Sequence, residues 1–348
     1  MAVIVVLALI GTQVYLHFNP YYSLAPGTAL EVGQLITVPA NLTHTDRKGA
    51  VFLTDVSVTK VGAFNLIADW FSSNVALVPA VTITGGVSPH QSNQQNVLEM
   101  TDSKRSAEVA ALRRLGYQVA EHDGGAVIVQ VAPNSSASGQ LRVGQIITAV
   151  DNVATPTAQA VVKAIVGHKP GDVIVLSVSG GPGQTSNIIR ITLGSRVDSS
   201  GRRVAFLGIG VGTQQSFKLP VSISVNSLSI GGPSAGLAFT LGIIDKLTPG
   251  SLTGGLKVAA TGTIDPAGMV GDVGGVAQKT IAVRNAGATV FLVPPQEYKV
   301  ALDHAGPHLR VFAVSSLNQA LDVLHRLGGS TVPPALPGVS NPAPSSPS

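Results

Sequence analysis

The 348-residue chain contains no cysteine, which excludes a thiol nucleophile, a disulfide framework and any cysteine-ligated metal. Charge is scarce as well. Only 11% of residues are Asp, Glu, Lys or Arg, against 45% hydrophobic. The net charge of +4 comes from scattered cations, whereas phosphate backbones need clustered ones, so nucleic acid is not an expected partner. Aromatic residues make up 4%, leaving the cores to be built from Val, Ile, Leu and Ala. Of the eight histidines only His304 and His308 lie close together, and Pro307 keeps them off a shared helix face. Neither a metal nor a cofactor is therefore expected.

What the chain has in quantity is apolar surface. Its mean hydropathy is +0.36, high for a protein with no membrane attachment. Residues 2–10 are wholly apolar and the stretch stays mostly apolar to Phe18. Eighteen helical residues rise about 27 Å, close to the thickness of a bilayer's hydrocarbon core. The basic residues that open a signal peptide are missing, since the first Lys or Arg is Arg47. The reading is a single-pass anchor over residues 1–18 in the cell membrane, with the body of the chain on the extracytoplasmic side.

The rest is expected to fold as an α+β multidomain protein. Residues 19–114 read as a membrane-proximal connector, with strands near 35–38 and 50–59 and helices over 61–78 and 91–116. Residues 115–196 form a β-rich unit. Its helix over 155–165 could be capped by Thr155, with Pro156 in the first position. Residues 204–328 alternate strands and helices, beginning with a strand region at 218–229. Residues 331–348, rich in Pro, Ser and Ala, read as a disordered tail.

The β-rich unit carries Val131-x-x-x-Ser135-x-Ala137, then Leu141-x-x-Gly144-Gln145-Ile146-Ile147-x-Ala149-Val150-Asp151, a helix, and Lys169-Pro170-Gly171-Asp172. In this order the pieces resemble a PDZ domain of the bacterial kind. The resemblance places the carboxylate-binding loop at Leu115, Gly116, Tyr117 and Val119, where backbone N–H groups would receive a peptide C-terminus. A competing reading makes Gly116 the C-cap of the preceding helix.

Gly231-Gly232-Pro233-Ser234-Ala235-Gly236 and Gly274-Gly275-Val276-Ala277-Gln278-Lys279 carry the chemistry. A serine at a glycine turn that opens an apolar helix has an exposed hydroxyl. It also lies near free N–H groups able to hold an oxyanion. Serine needs a base, and a lysine among small apolar neighbours is deprotonated more readily than one in water. The plain alternatives are a helix N-cap for Ser234 and a solvated lysine for Lys279.

Together with Thr261-Gly262-Thr263-Ile264 and Ala286-Gly287-Ala288-x-x-Phe291-Leu292-Val293-Pro294, these segments resemble the proteolytic domain of the Lon family of serine peptidases. The resemblance makes Ser234 the nucleophile and Lys279 the base, with Thr261 and Gly232 in support. Where the family commonly has T-G-E, this chain reads Thr261-Gly262-Thr263. No G-x-x-x-x-G-K-[S/T] phosphate loop occurs anywhere in it. The expected activity is an ATP-independent serine endopeptidase acting on unfolded or exposed polypeptide segments, with homo-oligomers as a further implication. A catalytically silent peptide-binding scaffold is the alternative.

Overall fold

The computed structural model describes residues 11, 21–44, 48–62, 72, 74–85, 89–180, 186–227 and 231–332. It divides into two compact units. One joins the chain up to Gln118 with the chain from Leu219 onward, and the other is Val119–Lys218. Apart from Gly11, the proposed anchor lies outside the described residues. Among the described residues no helix is long and apolar enough to cross a membrane.

The first segment gives strands β1 (Tyr21–Glu31), β2 (Ile36–Thr37), β3 (Ala50–Lys60) and β4 (Ala76–Pro79), then helices α1 (Ala80–Thr84) and α2 (Pro89–Arg114). Antiparallel pairing joins β1 to both β3 and β4. The helix expected over residues 61–78 is thus replaced at its end by β4, and residues 63–71 lie outside the described part. Residues 75–78 are a short continuous apolar run, and β4 adds there as an edge strand to β1.

Residues Val119–Lys218 then form β5 (Ala120–Val131), β6 (Ile146–Val150), β7 (Val153–Ala154), α3 (Ala158–Val166), β8 (Val173–Ser179), β9 (Ser186–Thr192), β10 (Gly194–Val197), β11 (Arg203–Phe206) and β12 (Ile209–Lys218). The sheet order is β12-β5-β6-β8-β9, with β7 on β6 and a separate β10–β11 hairpin. The unit therefore runs past residue 196, because β12 pairs antiparallel along the free edge of β5. Helix α3 is capped by Thr157, whose side chain accepts from the Ala160 N–H at 3.1 Å. Thr155 does not serve as the cap, because the helix starts only at Ala158 and the buried Thr155 Oγ1 has no hydrogen-bond partner among the described residues.

The returning chain adds β13 (Ser224–Val225), α4 (Gly236–Leu247), β14 (Lys257–Ala260), β15 (Thr263–Ile264), β16 (Val270–Gly271), α5 (Val276–Asn285), β17 (Val290–Val293), α6 (Tyr298–Ala305), β18 (Arg310–Ala313) and α7 (Leu317–Arg326). The strand region expected over 218–229 is only β13 in its described part, paired with β2. Strands β14, β17 and β18 run parallel, and β14 also pairs parallel with β3. The result is one mixed sheet of order β18-β17-β14-β3-β1-β4. Residues 21–114 are accordingly not a connector: they supply three of its six strands.

Two apolar clusters cover the two faces of this sheet. One gathers Leu237, Phe239, Leu241, Ile243 and Ile244 of α4 with Ala107, Ala110 and Ala111 of α2 and Leu321 and Leu324 of α7. The other joins Val276 and Val283 of α5, Ala301 and Ala305 of α6, and Phe291. Strand β17 is buried at every position, as a parallel strand covered on both faces must be. Helix α4 is buried from Gly236 to Asp245, and each large apolar side chain there contributes about 1.5–3 kcal/mol. The tail begins later than expected. Val332 is 8% exposed within the core, and its carbonyl accepts from the Arg114 guanidinium at 2.9 Å.

Candidate active site

Ser234 lies in the turn before α4, not at its cap. The capping position is Ala235, and no side chain caps the helix. Three contacts hold the turn. The Gly232 N–H donates to the Asn96 carbonyl of α2 at 3.3 Å, Ser103 Oγ of α2 donates to the Pro233 carbonyl at 2.9 Å, and the Gly236 N–H closes on the Pro233 carbonyl at 3.3 Å. Gly232 has φ +81°, a backbone region that a side chain would strain. Its N–H is committed to α2, so it is not an oxyanion donor. The N–H groups of Ser234 and Ala235 have no acceptor among the described residues, and they stand at the positive end of α4.

The base comes from the other helix layer. Gly275 caps α5 at φ +69°, and a Cβ there would meet Val56 Cγ1 at 2.7 Å. This close approach seats the start of α5 against β3. One turn on, Lys279 is 3% exposed. Burial lowers its pKa from 10.5 to about 8, while the fields of Asp55 and Glu297 pull it part of the way back. Such a lysine is neutral in a minority of molecules near physiological pH, a far larger share than for a lysine in water, and in most of them above pH 8.

Thr261 joins the two helices. It follows directly on β14, at the carboxyl end of the strand, where crevices form in sheets of this kind. Fully buried, it accepts from Lys279 Nζ at 3.3 Å and donates to the Ser234 carbonyl at 3.2 Å. The Ser234 carbonyl also accepts from the Gly262 N–H at 2.9 Å. Ser234, Thr261, Gly232 and Lys279, separated by up to 47 positions in sequence, are thereby brought together. Lys279 Nζ makes no direct hydrogen bond to Ser234 Oγ, a contact that commonly tightens only when substrate is bound.

Ser234 and Lys279 open into a cleft of about 740 Å³. Leu24, Val56, Val58, Ile83, Val97 and Met100 make its apolar wall, and among the described lining residues the charged ones are Asp55, Lys104 and Lys279. Most of that wall comes from residues 21–114, where sequence reasoning placed no chemistry.

The comparisons with known proteins fit this arrangement. Residues 202–325 match the Lon protease (S16) C-terminal proteolytic domain, and residues 114–183 match the PDZ domain. Residues 202–325 resemble Lon. The Lon protease of Chloroflexus aggregans is 26% identical over 144 residues, covering 40% of this chain and 17% of that protein. The Lon protease of Halothermothrix orenii is 28% identical over 170 residues, covering 46% and 21%. The chain thus spans about a fifth of the length of these curated relatives. Among solved structures, the PDZ domain of an SdrC-like protein from Listeria monocytogenes is 24% identical, covering 25% of this chain and 87% of that one at a TM-score of 0.22. The Lon-type match stops short of the strands and helix that residues 21–114 add to the same unit.

The expected carboxylate loop is not brought together as a site. The N–H groups of Leu115, Gly116 and Tyr117 donate to carbonyls of Ala111, Leu112 and Arg113. With Gly116 at φ +87°, the segment terminates α2, so its donors are already engaged. Val119 only opens the second unit. In that unit a groove of about 100 Å³ lies between α3 and the β11–β12 segment, lined by Val161, Ile165, Arg196, Phe206, Leu207 and Gly208. The N–H groups of Leu207 and Gly208 have no acceptor among the described residues, and β12 is an edge strand. The available signal was Phe206-Leu207-Gly208-Ile209, a glycine between apolar residues just before a strand.

Proposed function

We propose that the chain is a serine endopeptidase working through Ser234 and Lys279. Neutral Lys279 takes the Ser234 hydroxyl proton as Oγ bonds to the peptide carbonyl carbon. The resulting oxyanion faces the N–H groups of Ser234 and Ala235. Lys279 returns the proton to the leaving amine as the C–N bond breaks, which leaves an acyl ester on Ser234. Water then attacks the ester with Lys279 again as base, and the serine regains its proton as the acid departs. Thr261 positions Lys279 and fixes the nucleophile's backbone.

The observation that carries this reading is the buried, pKa-lowered Lys279 bound through Thr261 to the backbone of Ser234. Without a phosphate loop in these residues, the reaction is read as ATP-independent and restricted to unfolded or exposed segments. The groove beside β12 supports docking of an extended peptide by strand addition, its terminal carboxylate on the Leu207 and Gly208 N–H groups. Residues 1–18 are read as the anchor, with the catalytic body extracytoplasmic.

The test is the full chain in detergent, with Ser234→Ala and Lys279→Ala, on an unfolded protein with and without ATP. Cleavage by the parent alone, indifferent to ATP, is expected. Cleavage that survives either substitution overturns the dyad. No cleavage by any of the three favours the scaffold reading, for which the missing Ser234–Lys279 hydrogen bond speaks. Membrane fractionation, with protease added to intact spheroplasts, tests the anchor. A chain recovered in the soluble fraction refutes it.

A further inference from the structure

Helix α2 presents Asn93, Asn96, Val97, Met100, Thr101 and Lys104 to the cleft. These positions recur at helical spacing, so one face of α2 runs along the wall for roughly 16 Å. The glycine turn is bonded to this helix at Asn96 and Ser103. Lys104, one position beyond Ser103, therefore stands beside the nucleophile's turn. An extended peptide advances about 3.3 Å per residue, which brings Lys104 within about three residues of the scissile bond.

Lys104 makes no close ion pair among the described residues, although its field acts on Glu108 after that of Arg105. Its ammonium donates to Ser227 Oγ at 3.4 Å, a neutral partner. Among the described residues no carboxylate lies within 4.0 Å of it. Glu108, one turn along α2, is held by Arg105 at 3.3 Å. Asp55, the acidic side chain of the cleft lining, accepts from the N–H and hydroxyl of Thr28. Among the described lining residues, Lys104 is the cation apart from the base itself. Beside it Val58 and Val97, 43% and 56% exposed, offer hydrocarbon to a neighbouring substrate side chain.

We propose that Lys104 is a specificity residue, selecting peptides that place a carboxylate near the scissile bond and an apolar side chain against Val58, Val97 and Met100. The inference rests on the cleft being the peptide-binding site proposed above. A carboxylate gains an ion pair there, and an arginine or lysine at the same place meets like charge.

The experiment uses the full chain and peptides blocked at both ends, in which one glutamate or one glutamine is moved along a Leu- and Ala-rich frame. A second arm compares free-acid with amide C-termini, separating a side-chain carboxylate from a terminal one. At one position or terminus kcat/KM is expected to favour the carboxylate by about fivefold at low salt, with the ratio shrinking as salt rises. Lys104→Met should bring the ratio to one, Lys104→Arg should retain it, and Lys104→Glu should favour a lysine-bearing peptide instead. Equal cleavage of all pairs by the parent overturns the inference while leaving the catalytic reading intact, and so does a preference that survives Lys104→Met. Binding of labelled peptides to Ser234→Ala, followed by anisotropy, gives a readout independent of turnover. If the parent cuts nothing yet Ser234→Ala binds the acidic peptide more tightly than its neutral twin, acid recognition stands and the hydrolase reading falls. Equal binding in that case overturns both.

Discussion

Replacing Lys279 by methionine should make the protein more stable while abolishing its activity, and the gain should depend on pH in a defined way. Lys279 is 3% exposed, and its pKa falls from 10.5 to about 8, which corresponds to about 3 kcal/mol of disfavoured charge burial. Below pH 8 the lysine is protonated in both folded and unfolded states, so the folded protein bears that full cost. Between pH 8 and 10.5 the unfolded chain holds more protons than the folded one, and stability rises with pH. Above 10.5 the cost has gone. Methionine has a similar shape and no charge, but it gives up the hydrogen bond to Thr261, worth about 1 kcal/mol. The variant should therefore exceed the parent by about 2 kcal/mol at pH 7, and the difference should narrow by about 2 kcal/mol by pH 10. Urea unfolding of both proteins across this range reads the effect directly, since titrations common to both cancel. Parallel stability curves, with no narrowing, would refute the argument that Lys279 is a desolvated base. The parent's peptidase activity should rise with pH through about 8, as the lysine becomes neutral.

Two further substitutions probe the frame of the site. Thr261→Val removes both the acceptor of Lys279 Nζ and the donor to the Ser234 carbonyl. It should cost about 1–2 kcal/mol in stability and about a hundredfold in kcat, and a kcat within twofold of the parent would deny Thr261 its positioning role. Gly275→Ala forces a side chain into left-handed backbone and against Val56, so thermal unfolding should register a loss of about 2–4 kcal/mol. A melting temperature unchanged within error would mean that α5 can shift away from β3 freely.

The residues of the candidate site were legible in the sequence because each run that carries them is local. The Ser234 turn, the Thr261 strand end and the Gly274–Lys279 helix start are short runs, each fixed by its own glycines. The walls of the cleft were not legible. Ala50 and Lys257 pair across more than two hundred positions, and nothing in the period-2 pattern of β3 names its partner. Helix α2 shows an apolar face at Ala107, Ala110 and Ala111, but nothing in its sequence says that this face packs in one cluster with α4. The expected carboxylate loop failed for a related reason. Leu115-Gly116-Tyr117 has the composition of a carboxylate loop, but helix α2 supplies carbonyls that take up its N–H groups. Strand β12 went to the wrong unit because alternation reveals a strand without revealing which edge it joins.

The division of the catalytic sheet between the two ends of the chain has a consequence for synthesis. β1, β3, β4 and α2 leave the ribosome first, with no parallel partner for β3 until β14 arrives. The second unit is one continuous stretch of chain, Val119–Lys218, and can fold during that wait. Ser234 and Lys279 acquire their common floor only once Thr261 and the strands around it have emerged. A nascent chain therefore lacks the assembled candidate site until β14, Thr261 and α5 have all emerged.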